Sequence, residues 1–309
     1  MDISFVIPVY NEESDLKQLH SEITEVMSGL ARPYEIIFIN DGSTDGSWSL
    51  IKELRAQDGR VRGVSFRRNF GKSEALAAGF ARAEGKFIFT LDADLQDNPK
   101  EIPAFLEKME EGFDLVSGWK KLRHDPLEKR LPSKLFNAVV SYFCGVKLHD
   151  FNCGFKCYRA ECAKEIDVYG ERHRFMPALA FERGFKVGEL VVEHRARIHG
   201  HSKFGFERYA RGFLDLLTVW FLGNYTRRPA HLLGGLGVLF GLAGFIFLLI
   251  SFIFLGTSRH FGGSLYCLIS GCTLLVISSL GVLFGLTSEL IVARSRTPKK
   301  TIHSVGEEF

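Results

Sequence analysis

A large excess of either charge is missing from this chain of 309 residues: 39 basic side chains against 36 acidic ones leave a formal +3. Charge of either sign is missing from two long runs, 24 residues from Leu232 to Leu255 and 22 from Leu265 to Leu286. At about 1.5 Å rise per residue, helices of those lengths reach roughly 36 and 33 Å, enough to cross a hydrocarbon core of about 30 Å. They exclude a purely soluble protein, and two spans are too few for a multi-span transporter or channel. With 46% hydrophobic residues the chain is too apolar for intrinsic disorder.

Other signals are also lacking. Met1-Asp2 runs straight into the apolar stretch Ile3–Val9, with no basic n-region and no small-residue cleavage site. No secretory leader is expected, and the N-terminal domain is expected in the cytosol. Disulfides and zinc are not expected either. The spacings of Cys144, Cys153, Cys157 and Cys162 match no common zinc pattern, and Cys267 and Cys272 lie inside a span. All six read as structural.

The charge that is present is unevenly placed. Residues 1–60 hold 5 basic and 11 acidic side chains, whereas Arg195–Arg228 holds seven basic and two acidic ones. Arg294–Lys300 adds four basic residues, and the nine-residue connection Gly256–Ser264 carries only Arg259. The positive-inside rule then predicts both chain ends in the cytoplasm and a short external turn. Mean hydropathy of +0.04 is thus an average over a polar domain and an anchor.

About 230 residues precede the first span, ample for one α/β domain with a large core. Apolar runs Phe5–Val9, Glu35–Ile39, Val61–Ser65, Phe87–Leu91 and Leu115–Ser117 alternate with amphipathic stretches Asp15–Leu30, Ser47–Ala56, Lys72–Ala83 and Lys100–Glu110. That alternation predicts an α/β fold with a mostly parallel sheet, whose ligands bind beyond the carboxyl ends of the strands. Polar clusters stand at those ends: Tyr10-Asn11-Glu12, Asn40-Asp41-Gly42-Ser43 and Asp92-Ala93-Asp94. A basic helical stretch follows from Leu122 to about Lys147, then a mixed region over Asp150–Lys203. Phe204–Tyr225 mixes aromatic and aliphatic residues with Arg208 and Arg211, and reads as a helix lying on the bilayer.

One repeat, Gly-Val-Leu-Phe-Gly-Leu, occurs at Gly237–Leu242 and again at Gly281–Leu286. In an antiparallel hairpin both copies lie at similar depth. Each holds the Gly-x-x-x-Gly spacing that lets helix backbones approach, so a contact is predicted within the hairpin or between subunits.

Three strings carry chemistry. In Asp92-Ala93-Asp94-Leu95-Gln96-Asp97, two carboxylates and an amide oxygen after a strand suit a magnesium or manganese ion that keeps positions open for substrate phosphates. In Asn40-Asp41-Gly42-Ser43, a carboxylate suits a ribose or base edge, and Gly42 permits close backbone approach. Pro8-Val9-Tyr10-Asn11-Glu12 stands beside it. In Arg197-Ile198-His199-Gly200-His201-Ser202-Lys203, two cations and a hydroxyl surround a glycine and suit phosphate oxygens.

With Arg68-Asn69-Phe70-Gly71-Lys72, these strings in this order resemble the family 2 glycosyltransferases, and more narrowly the polyprenyl-phosphate glycosyltransferases. The resemblance covers about residues 3–230, and the two-helix tail is similar to that of the membrane-anchored members. It implies a GT-A fold, an inverting mechanism and a divalent cation, Mg2+ or Mn2+, held by Asp92, Asp94 and Gln96. It implies nucleotide contacts at Pro8, Tyr10, Glu12, Asp41, Lys72 and Asp92. It implies lipid-phosphate contacts at Arg197, Ser202 and Lys203, joined by the basic Lys121, Arg123, Arg130 and Lys134. Asp94, Asp150, Arg197 and Lys203 are the expected catalytic group. Some relatives carry an additional carboxylate in the segment Asp150-x-Asn152-Cys153-Gly154-Phe155-Lys156, where this chain has Gly154 and Phe155. Many have Gly-x-Arg where this chain has Gly118-Trp119-Lys120.

The expected organisation is a cytosolic catalytic domain over 1–203, an interfacial region over 204–230, a transmembrane hairpin over 231–290 and a cytosolic tail over 291–309. The expected partners are a nucleotide-diphosphate sugar, a polyprenyl phosphate and the bilayer. No nucleic acid is expected, and a homo-oligomer is left open. A processive polysaccharide synthase would need more spans and a Gln-x-x-Arg-Trp motif, and neither is present. Two alternatives remain, a non-catalytic scaffold that keeps the fold and a peripheral lipid-binding protein without nucleotide chemistry; the intact Asp-Ala-Asp string speaks against the first and the three strand-end clusters against the second.

Overall fold

The computed structural model describes residues 1–121, 137–138, 140–142, 144–168, 170, 172–193, 195, 229–256 and 261–295. The basic residues Arg123, Arg130 and Lys134, the segment holding Arg197, Ser202 and Lys203, the interfacial stretch and the C-terminal tail lie outside them. The chain forms two compact units, Met1–Val219 and Trp220–Phe309.

In the first unit, apolar strands alternate with helices in the predicted order. These are β1 (Ile3–Val9), α1 (Leu16–Leu30), β2 (Tyr34–Asn40), α2 (Ser47–Gln57), β3 (Val61–Ser65), α3 (Lys72–Phe80), β4 (Phe87–Thr90), α4 (Ile102–Glu110) and β5 (Leu115–Trp119). Observed ends differ from the expected ones by up to three residues. Lys100 falls in a 3-10 turn, Pro99–Glu101, because Pro99 and Pro103 lack the N–H that would extend an α-helix upstream.

The mixed region resolves into β6 (Lys156–Arg159), α5 (Ala160–Glu165), a 3-10 turn at Arg172–Arg174, α6 (Met176–Glu182) and β7 (Val187–Val191). The sheet order is β3-β2-β1-β4-β6-β5-β7. All neighbours are parallel except β6, which runs antiparallel to both β4 and β5, with Thr90 and Ser117 each opposite Lys156.

Period-two alternation in the central strands divides the core. Ile3, Phe5, Ile7 and Val9 of β1 join Ile36 and Phe38 of β2 and the α1 stripe Leu16, Leu19, Ile23 and Met27 on one face. Val6, Ile37, Ile39 and Ile88 join Ala75, Leu76 and Phe80 of α3 on the other. Both faces are covered, so these strands read as continuous apolar runs. Each such side chain contributes about 1.5–3 kcal/mol by leaving water. The covering forces the strand ends, not the faces, to carry the polar chemistry.

The second unit is a helical hairpin, α7 (Pro229–Gly256) and α8 (Phe261–Ser295). Both helices are long and apolar enough to cross a membrane over Ala230–Gly256 and Gly262–Ile291, containing the two expected spans. Only residues 257–260 separate the helices, fewer than the nine residues expected, because α7 takes up Gly256 and α8 takes up residues 261–264.

The repeat forms its contact inside the hairpin. A β-carbon built on Gly281 would lie 3.1 Å from the Gly237 Cα, one on Gly241 would lie 2.7 Å from the Ser278 hydroxyl, and one on Gly285 would lie 3.1 Å from the Gly234 nitrogen. Farther along, Ser251 Oγ donates to the Ser264 carbonyl at 2.7 Å and Ser264 Oγ to the Ser251 carbonyl at 3.0 Å.

Candidate functional site

The turns after β1 and β2 are knitted to each other. Asn11 takes a left-handed φ of 56°, its N–H donates to Ser43 Oγ at 3.0 Å, and its side-chain oxygen accepts the Thr44 N–H at 2.8 Å. The Glu12 N–H donates to Ser47 Oγ at 3.1 Å. These bonds set Pro8, Tyr10 and Glu12 beside Asp41 at one edge of the sheet. Tyr10 is 37% exposed and Asp41 is buried.

Both Asp41 oxygens accept main-chain N–H bonds, from Phe70 at 2.7 Å and Gly71 at 2.9 Å. The carboxylate therefore closes the Arg68–Lys72 loop onto the end of β2, and each oxygen keeps a lone pair for a further donor. Gly42, at φ 69°, makes that closure possible. A β-carbon there would fall 2.3 Å from the Arg68 carbonyl carbon.

Lys72, the next residue after Gly71, opens α3, and its ammonium pairs with Asp92 at the end of β4. Burial works against charging the Asp92 carboxyl, but the Lys72, Lys120 and Lys156 cations together outweigh it and lower the pKa to about 2. The loop after β4 then turns sharply. Leu95 takes φ 60°, a left-handed conformation costly for a branched side chain and typical of strained functional loops. Asp94 is buried, and its Oδ1 accepts the Gln96 N–H at 3.3 Å.

Two carboxylates and an amide on one tight turn form an all-oxygen donor set of the kind magnesium and manganese take. Among the described residues no group of three or more His, Cys, Asp or Glu is assembled for a metal. A cation on this loop would complete its shell with substrate oxygens.

Several residues that hold the loop were not among the expected site residues. Asp97 accepts the Asp92 N–H through Oδ2 at 3.3 Å, and its Oδ1 lies 2.9 Å from Lys120 Nζ. Burial opposes the Lys120 charge, yet Asp97 raises its pKa above the ordinary value. Lys120, the residue after β5, thus holds the Asp92–Asp97 loop. The Arg195 N–H donates to the Gln96 carbonyl at 3.1 Å, while its guanidinium reaches Asn98 Oδ1 at 2.6 Å and Glu22 Oε2 at 2.7 Å. Next to α3, both the N–H and Nδ1 of His173 meet Ser73 Oγ, at 3.1 and 3.0 Å. Burial and the nearby Lys72 and Arg174 cations push the His173 pKa well below its ordinary value, so its imidazole is neutral.

Asp150 is 1% exposed, and its Oδ1 accepts the Asn152 N–H at 3.0 Å. In this structure it shapes the turn that leads to Gly154, which packs against Asp92. Lys121 follows the carboxyl end of β5, the sheet end that also carries the Asp92–Asp97 loop, and is exposed, with its ammonium 5.5 Å from the Trp119 ring centroid. The six cysteines are all free. Burial pushes the Cys153 thiol up to about 12, as expected of a structural residue.

The profile of glycosyl transferase family 2 matches residues 4–167, more than half of the chain. The chain belongs to glycosyl transferase family 2. It is 37% identical over 296 residues to the dodecaprenyl-phosphate galacturonate synthase of Rhizobium johnstonii, covering 94% of this chain and 88% of that one. It is 39% identical over 248 residues to the undecaprenyl-phosphate 4-deoxy-4-formamido-L-arabinose transferase of Shewanella sediminis, covering 78% and 73%. The transferase also shares its fold with glucosyl-3-phosphoglycerate synthase of Mycobacterium tuberculosis, solved with Mn2+, uridine diphosphate and phosphoglyceric acid. The TM-score is 0.56 at 19% identity, over 72% of this chain and 78% of that one. The GT-A fold and the expected family are both in place.

Proposed function

We propose that this glycosyltransferase moves a sugar from a nucleotide-diphosphate sugar to the phosphate of a polyprenyl phosphate, with a divalent cation, Mg2+ or Mn2+, at Asp92, Asp94 and Gln96. The observation that carries the reading is the docking of Arg195 on the Asp92–Asp97 loop. It holds Arg195, two residues before Arg197, against the loop where a donor diphosphate would lie. The relatives named for lipid-phosphate sugar transfer, matched over most of their length, support it.

In this reading the nucleoside rests against Pro8, Tyr10, Glu12 and Asp41, and Lys72 exchanges its Asp92 partner for a donor phosphate oxygen. When bound, the cation neutralises charge that develops on the departing diphosphate. The acceptor phosphate is largely ionised at neutral pH, with a second pKa of about 6, so its oxygen needs little help from a base. It attacks the anomeric carbon in line. The carbon–oxygen bond to the acceptor phosphate forms as the bond to the diphosphate breaks, and the nucleoside diphosphate leaves with that electron pair. Positioning and leaving-group stabilisation carry the rate.

Arg197, Ser202, Lys203 and the basic residues Lys121, Arg123, Arg130 and Lys134 are assigned to the lipid phosphate, and Asp150 to the reacting sugar's surroundings. The catalytic domain over 1–203 works on the cytoplasmic face, tethered through the interfacial region to the hairpin. Both chain ends share that face by the distribution of basic residues.

The test is to incubate the purified full-length protein with undecaprenyl phosphate and a panel of labelled UDP- and GDP-sugars, with and without chelator. Label should enter the lipid extract with one donor and vanish with chelator. No transfer from any donor would overturn the reading, and transfer unaffected by chelator would overturn its metal component.

A further inference from the structure

Lys156 is the charged side chain with the least evident reason to be where it is. It opens β6, between Thr90 of β4 and Ser117 of β5, and is 3% exposed. Desolvation of an ammonium is costly, and a methionine would fill the same space without it. What lysine adds is a group of three donors, and here they face backbone. Its Nζ donates to the Phe151 carbonyl at 3.4 Å and also to the Cys153 carbonyl. Burial and the Lys72 cation lower its pKa, while Cys153, Asp150 and Asp92 oppose that shift.

The turn fastened in this way runs directly into Gly154. The Gly154 carbonyl accepts Thr90 Oγ1 at 2.7 Å, which fixes the glycine over the end of β4. Its α-carbon is packed against Asp92, and an added β-carbon would lie 2.6 Å from Oδ2 and 2.8 Å from Oδ1. Gly154 therefore forms one wall of the space in which the Asp92 carboxylate sits, with Lys72 forming another. The wall has no side chain to adjust, so its position follows the turn behind it.

We propose that Lys156 is a positioning residue for the transfer reaction. Its ammonium holds the Phe151–Cys153 turn so that the Gly154 backbone sets the orientation of the Asp92 carboxylate toward the cation and donor diphosphate. The proposal rests on the function proposed above for its kinetic readout, but not for its structural one. It assigns a role at the reacting end of the donor and none at the nucleoside end, where Asp41 and the Pro8–Glu12 turn lie on other strands.

The test uses the full-length protein and the variants Lys156→Met, Gly154→Ala and their combination. Lys156→Met keeps the length and removes the donors. It should lower kcat by about ten- to a hundredfold with little change in donor KM, and weaken Mn2+ binding, titrated by calorimetry with the donor's nucleotide, by about tenfold. Amide exchange should quicken in residues 150–155 and remain native in β1 and β2. Gly154→Ala should give the same kinetic signature by displacing Asp92 directly, without the faster exchange. The double variant should cost less than the sum of the two, because both act through one carboxylate.

Native kcat in Lys156→Met would overturn the proposal. So would additive losses in the double variant, or fast exchange spread through the whole sheet with donor binding and kcat lost together. If the native protein transfers no sugar, the function proposed above fails. Amide exchange in 150–155 then still decides whether Lys156 fastens the turn, native exchange overturning it.

Discussion

The main-chain N–H of Arg195 donates to the carbonyl of Gln96 at 3.1 Å, joining residues 99 positions apart. The Arg195 guanidinium extends the joint to Asn98 and to Glu22 of α1, and Asn98 Nδ2 in turn donates to Glu193 Oε2 at 2.7 Å. A segment that leaves the sheet at the end of β7 is thereby fastened to the loop that follows β4.

Removing that fastening should impair transfer more than it unfolds the domain. Arg195→Ala is expected to lower kcat by about ten- to a hundredfold. Its melting temperature should change little, because the pairs are a quarter exposed and such pairs contribute roughly 0–1 kcal/mol. Steady-state kinetics beside a thermal melt separate the two effects, and native turnover would dismiss the joint.

Asp94 has a sharper expected phenotype. Asp94→Ala should abolish transfer and nucleotide-dependent Mn2+ binding while leaving the circular dichroism spectrum and melt close to native. Substantial retained transfer would remove Asp94 from the metal site.

Gly42 is a steric requirement. At φ 69°, with the Arg68 backbone 2.3 Å from where a β-carbon would go, Gly42→Ala must move the Arg68–Lys72 loop or strain its own backbone. A loss of about 1–3 kcal/mol is expected in denaturant unfolding. Nucleotide affinity should fall with it, because Asp41 and Lys72 move with that loop.

Glu35 supplies a pH dependence away from the site. Its carboxylate, 2% exposed, accepts Ser4 Oγ at 2.6 Å, the Glu84 N–H at 2.8 Å and Arg62 at 2.8 Å. Burial raises its pKa, but these donors together outweigh burial and hold it below the ordinary 4.5. A carboxyl depressed in the native state stabilises the fold above its unfolded pKa and ceases to do so as pH falls through its native one. Stability from Glu35 is therefore complete above about pH 4.5 and declines with further acidification. Glu35→Gln should flatten the acid limb of a plot of melting temperature against pH, and an unchanged limb would refute the assignment.

In the hairpin, Ser251 Oγ and Ser264 Oγ are 3.2 Å apart, close enough for cysteines at both positions to form a disulfide. That engineered pair should cross-link readily in detergent. Adding Gly241→Leu and Gly285→Leu should slow cross-linking by forcing α7 and α8 apart. An undiminished rate would mean that the glycines do not set the separation.

Much of the frame was legible because local chemistry dictated it. β1, β2 and β4 are apolar on both faces, and the turn residues Asn11, Asp41 and Asp92 stand at their ends. The Gly-x-x-x-Gly copies pointed to the hairpin contact for the same reason. β6 was not legible. It has four residues, Lys156-Cys157-Tyr158-Arg159, bounded by cations, and becomes a strand only because β4 and β5 supply hydrogen-bonding edges on both sides. The partners that shape the site were hidden by distance along the chain. Lys120 meets Asp97, Gly154 meets Asp92 and Arg195 meets Gln96 only after folding.

The reversed direction of β6 has a consequence for how this chain tolerates change in length. Parallel strands deliver their C-terminal loops to the site edge, and those loops lengthen outward into solvent. β6 instead begins at that edge, so the residues before it lead in between β5 and β4. An inserted residue in 150–155 has no outward route and would displace Gly154 into the Asp92 carboxylate. Insertions here should therefore be refused.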